Sequence, residues 1–130
     1  MSANKKIMNH KIVELWDVHM TGKFPRGYGG ETIEGIDLVL LDSDVAGCVT
    51  TFIKNDGQLD LWRTAILGLC YRDLNVVTCH LSGEAKEHFS RLETLSNLVL
   101  KDIIALENSK RKSKKIDLQE FSNLGQGKES

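Results

Sequence analysis

Apolar residues in this chain recur mainly at steps of three and four. Met8, Ile12, Leu15, Trp16 and His19 fall on one side of a helix over 8–19, with Gly22 as its stop. Leu38, Leu41, Val45, Cys48, Val49 and Phe52 make a second helical stripe, which ends at Asn55-Asp56-Gly57, where a glycine suits a left-handed cap. The start of that stripe has a second reading: 36–41 is also consistent with a short buried strand, in which case Asp42-Ser43-Asp44 is a turn and Ser43 caps the helix behind it. Residues 59–74 are apolar nearly all round, through Leu59, Leu61, Trp62, Ala65, Ile66, Leu67, Leu69, Cys70 and Tyr71, which predicts a central helix covered on most sides. The β-branched stretch 76–81 reads as an extended link or a strand, and Ser82-Gly83 separates it from the next helix. The clearest stripe lies in 84–107, where Phe89, Leu92, Leu95, Val99, Ile103 and Leu106 share one face and Ser90, Thr94, Asn97 and Lys101 fall opposite. Its acidic start and basic end also suit the helix dipole.

Four such helices predict an all-α or α-dominant fold, a bundle of about four helices; the alternative is α+β, with short strands at 36–41 and 76–81. A single helical domain is expected over 1–107, interrupted by a glycine-rich loop at 22–35 that holds Pro25 and Gly27, Gly29, Gly30 and Gly35. Over 108–130 the sequence becomes polar. Ile116, Leu118, Phe121 and Leu124 are too sparse there to build a core, so a flexible tail is expected.

Composition narrows the function classes. With 130 residues, 41% hydrophobic and 27% charged, the chain can fold around one core without staples. A net charge of −1 provides no global field to attract nucleic acid or an anionic membrane. The one basic run, 110–115, has no interleaved aromatic residue, so nucleic acid contact is expected only as weak, salt-sensitive binding there. Cys48, Cys70 and Cys79 are odd in number and lack C-x-x-C spacing, which suits buried thiols in a reducing compartment. The start of the chain shows no signal-peptide cleavage pattern, and charges break every apolar stretch before the ~18–20 residues that span a bilayer. These features predict a soluble, cytoplasmic protein without a membrane partner.

Several groups of residues could carry chemistry. His80, Glu84 and His88 have the four-residue spacing that aligns metal ligands on one helical face, although Gly83 interrupts it. Arg63 and Arg72 lie on or near the apolar central helix, where a guanidinium needs a carboxylate, so Asp42, Asp44 or Asp60 could serve as partner; Asp42, Asp44 and Arg63 together would form an ionic pocket. The loop Arg26-Gly-Tyr-Gly-Gly-Glu31 offers Arg26 and Tyr28 as a charge and a stacking face, with Trp16 and His19 just before it; it lacks the ending of a phosphate loop. A cysteine nucleophile would require a histidine brought close in space.

No cofactor motif is present, and none is expected to bind. The excess of apolar faces predicts a non-enzymatic, adaptor-type module that binds a protein partner or itself as a homo-oligomer. Its expected interface is the exposed part of the Leu92 to Leu106 stripe, with Leu95, Val99, Ile103 and Leu106, or of the Met8 to Trp16 stripe. The competing expectation is a small metal-binding protein or enzyme that uses the His/Glu set or the Asp/Arg pocket.

Overall fold

The computed structural model describes the backbone of residues 8–129 and the side chains of residues 8–113. Helices dominate it: among the described residues there are four, α1 (His10–Thr21), α2 (Leu38–Lys54), α3 (Leu61–Thr78) and α4 (Gly83–Glu129), with one two-stranded hairpin of β1 (Thr32–Ile33) and β2 (Ile36–Asp37). The α-dominant bundle expected from the spacing of apolar residues is therefore the architecture found. No described helix is long and apolar enough to cross a membrane.

Three of the helices begin where a short polar side chain satisfies a free amide. Asn9 accepts from the Lys11 amide, Asp37 from Leu40 and Asp60 from Arg63. Asp37 resolves the ambiguity over 36–41. Only Ile36 and Asp37 are extended, and the helix begins at Leu38, so the strand reading and the Ser43 cap do not hold. The hairpin turn is Glu34-Gly35, both with positive φ (52° and 77°), as a two-residue turn between twisted strands requires. Behind α2, Asp56 and Gly57 are also left-handed, and the Gly57 amide reaches back to the Phe52 carbonyl at 2.9 Å, closing the helix where the sequence predicts.

The stretch 76–81 is neither strand nor link over its first half, because α3 continues through Thr78. Val77 and Thr78 are buried against the core, and the Thr78 hydroxyl donates to the Leu74 carbonyl at 2.9 Å. Tertiary packing here outweighs the weak strand preference of β-branched residues. Similarly, α4 passes Glu107, where the sequence suggests an end, and runs to Glu129. The Lys, Arg, Gln and Glu residues beyond that point are good helix formers, and no proline interrupts them. The side chains of Ile116, Leu118, Phe121 and Leu124 lie outside the described residues.

The core is built by α4 against the other three helices. Phe89, Leu92, Leu95 and Val99 of α4, Leu38, Val45, Val49 and Phe52 of α2, and Leu67, Leu74 and Val77 of α3 are fully enclosed, with Ile12 from α1. Each such side chain contributes about 1.5–3 kcal/mol relative to exposure. In α3 the sequence is misleading. This helix buries one face only and leaves Leu61, Trp62, Leu69 and Val76 open to solvent.

Candidate functional site

The bundle gathers three polar side chains in its interior, one from each of three helices. His19 comes from the last turn of α1, Asp42 from the second turn of α2 and His88 from the second turn of α4. Nε2 of His19 lies 3.2 Å from Oδ1 of Asp42, and Nε2 of His88 lies 3.3 Å from Oδ2. With a proton on each Nε2, both imidazoles donate to the one carboxylate, and each takes its own oxygen. The side chains are 8%, 19% and 7% exposed for His19, Asp42 and His88, so only an edge of the carboxylate meets solvent.

Aromatic rings wall the cluster. Trp16 stacks on His19 with ring centroids 5.4 Å apart, the two histidine rings are 4.8 Å apart, and Phe24 and Phe89 stand edge-on to His88. Burial alone would raise the Asp42 pKa. Hydrogen bonds from His19 and His88, together with their charge, outweigh it and hold the carboxyl well below the usual carboxylate range. Nδ1 of His19 is buried without a hydrogen-bond partner among the described residues.

Of the residues singled out in the sequence, Trp16, His19, Asp42 and His88 do meet, although in a combination that the sequence did not suggest. His80, Glu84 and His88 do not converge. The chain turns between α3 and α4, so His80 is not on the helix that carries the other two; it faces Glu34 at 3.6 Å, and Glu84 is exposed at the start of α4. Nor do Asp42, Asp44 and Arg63 form an ionic pocket. Asp42 turns inward to the histidines, Asp44 is exposed, and the Arg63 guanidinium pairs with the cap residue Asp60. Arg26 is exposed in the loop, while Tyr28 packs partly against the core.

Leu95 and Val99 are not available as an interface, because both are completely enclosed by the chain's own bundle; Ile103 packs against that core and Leu106 is half-buried. Cys48 and Cys70 are buried and Cys79 is exposed, all three with free thiols. Burial pushes the Cys70 thiol up to about 12 and raises that of Cys48, with nearby Asp44 adding to both. Neither is a nucleophile. In the basic run, Arg111 and Lys112 are exposed and Lys110 faces Glu107 at 3.7 Å.

The second unusual region is the outside of α3. Trp62 is 74% exposed, Leu69 53% and Val76 38%, at seven-residue intervals along one helical face, with Ala65 between the first two. Beside this stripe a groove of about 470 Å³ opens between α2 and α3. Leu40, Ile66 and Leu69 form its apolar part, and Asp37, Asp44 and Asp73 supply carboxylates. The sequence did contain this signal, as apolar residues on all sides of 59–74, but such a pattern does not distinguish a face packed within the molecule from one left open.

Protein-family models, curated proteins and solved structures contain no match to this chain. The geometry of the two regions is what bears on function.

Proposed function

We propose that the chain is a non-enzymatic helical interaction module that associates with itself through the outer face of α3. The observation that supports this is the exposed stripe Trp62, Leu69 and Val76 on a helix whose other face is firmly seated in the core. Solvated single apolar residues are ordinary, but an aligned row containing a tryptophan, continuous through Leu69 with the apolar part of a groove that also carries three carboxylates, is the composition of a contact surface. The row suits a second copy because it is self-complementary. If two α3 helices pack antiparallel with Leu69 on the two-fold axis, Trp62 of each copy lies against Val76 of the other, large against small at both ends. Ala65, beside them, lets the helices approach closely.

The three free thiols, two of them buried, suit a reducing compartment, and we assign the protein to the cytoplasm on that basis. Sedimentation velocity from about 1 to 100 µM, the range in which modest interfaces show themselves, tests the association. Wild-type protein is expected to shift from monomer to dimer, and Leu69→Asp to remain monomeric with an unchanged circular dichroism spectrum. A wild-type monomer across that range, or a dimer indifferent to Leu69→Asp, would overturn the reading.

A further inference from the structure

We infer that His19, Asp42 and His88 form a binding site for a single divalent transition-metal ion of the zinc class. The site lies on α1, α2 and α4 and is independent of the association face on α3. Two imidazoles and one carboxylate are a recurrent ligand set for such ions, and hard cations such as Mg²⁺ or Ca²⁺ would instead require more oxygens. One ligand atom from each residue falls within a mutual span of 4.8 Å.

The distances agree with this assignment. Charge-assisted N–H···O bonds usually measure about 2.7–2.9 Å, whereas the two contacts to Asp42 measure 3.2 Å and 3.3 Å. Ligands held at ~2.0–2.1 Å around a tetrahedral ion lie about 3.3–3.4 Å from one another; the two Asp42 contacts, each to a different carboxylate oxygen, are near that spacing, and the 4.8 Å span of the set as a whole would contract when an ion binds. Core packing holds two of the ligands in place, with Phe89 of α4 next to His88 and Leu41 of α2 next to Asp42, both in the buried core.

Binding would require each Nε2 to present a lone pair, so the proton on each ring moves to Nδ1. For His19 that proton would have no acceptor among the described residues. Metal sites that lack such a partner are typically about 10- to 100-fold weaker, so a moderate affinity is expected. Three protein ligands leave a fourth position for water, and the exposed edge of Asp42 is the side from which it would enter.

The test is titration of chelator-stripped, full-length wild-type protein with Zn²⁺ by calorimetry and with Co²⁺ by visible absorption. One ion per chain and the ligand-field bands of four-coordinate Co²⁺ are expected. Asp42→Asn and His88→Gln should each weaken binding by about 100-fold or more, while His80→Gln should leave it unchanged. Absence of stoichiometric binding to the wild type overturns the inference whether or not the variants fold. Binding that survives both Asp42→Asn and His88→Gln, in proteins shown by thermal melting to be folded, overturns it equally.

Discussion

The inside of the α1/α2/α4 junction and the outside of α3 contrast in chemistry. The first encloses a carboxylate and two imidazoles among aromatic rings, and the second shows a tryptophan, a leucine and a valine to solvent. Both oppose the usual partition of polar groups outward and apolar groups inward. The two differ in what they give the isolated chain: the polar cluster offsets its desolvation through its own hydrogen bonds, which hold Asp42 below the usual carboxylate range, and the α3 stripe gains nothing from burial. The lesson is that the fold is carried by the enclosed stripes of α2, α4 and the inner face of α3, which leaves these two places free to serve another purpose.

The contrast is sharpest when the same substitution is made on each side of it. Leu95→Asp places a carboxylate at a fully enclosed position without a partner and is expected to cost more than about 4–5 kcal/mol, enough to unfold the domain. Leu69→Asp, at 53% exposure, should alter the stability of the monomer by no more than about 0.5 kcal/mol. Denaturant melts of the two variants side by side check this, and similar midpoints would erase the distinction between the faces.

Thiol chemistry examines the same boundary within one helix and its cap. Cys70 lies on the inner face of α3 with its pKa pushed up to about 12, while Cys79 at the end of that helix is exposed. Since only the thiolate reacts, the raised value keeps Cys70 protonated and inert at pH 8, and its reactivity appears only on unfolding or at strongly alkaline pH. An aromatic disulfide reagent should therefore titrate Cys79 quickly in the native protein and release Cys48 and Cys70 only in denaturant. Rapid reaction of all three would show the inner face of α3 to be open.

A modest gain in stability is expected on the solvent side of α2. Gly47 sits in the middle of that helix, and a Cβ there would meet nothing within 4 Å, so Gly47→Ala should stabilise the protein by about 1 kcal/mol, read as a raised melting temperature.

Much of the scaffold was legible in the chain itself. The stripe Leu38, Leu41, Val45, Cys48, Val49 and Phe52 is buried at all six positions, because side chains repeated at steps of three and four line up along one side only when the backbone is helical. Residues 76–78 were harder, since the helical state of Val76, Val77 and Thr78 depends on what they pack against. The α3 stripe was visible but ambiguous, for periodicity records that a face is apolar and not what covers it.

The polar cluster was the least legible feature. His19 and His88 are separated from Asp42 by 23 and 46 residues, so no local spacing connects them, and His88 instead fell into register with His80 and Glu84. The available hint was indirect: each of the three lies beside an apolar stripe, next to Leu41, next to Phe89 or one turn after Trp16, where a polar side chain is turned toward the interior.

The helix that completes the cluster has the shallowest hold on the molecule. Within α1 only Ile12 is fully enclosed, and beyond partial packing by Leu15 and Trp16 its attachments are polar, from the Asn9 amide to Asp102 at 3.1 Å and from His19 to Asp42. Local opening of a native protein follows the weakest-anchored segment. The exposed edge of Asp42 already gives small solutes a way in, and each lifting of this first helix would widen it, coupling the rate of exchange at the buried cluster to the fraying of the amino-terminal segment.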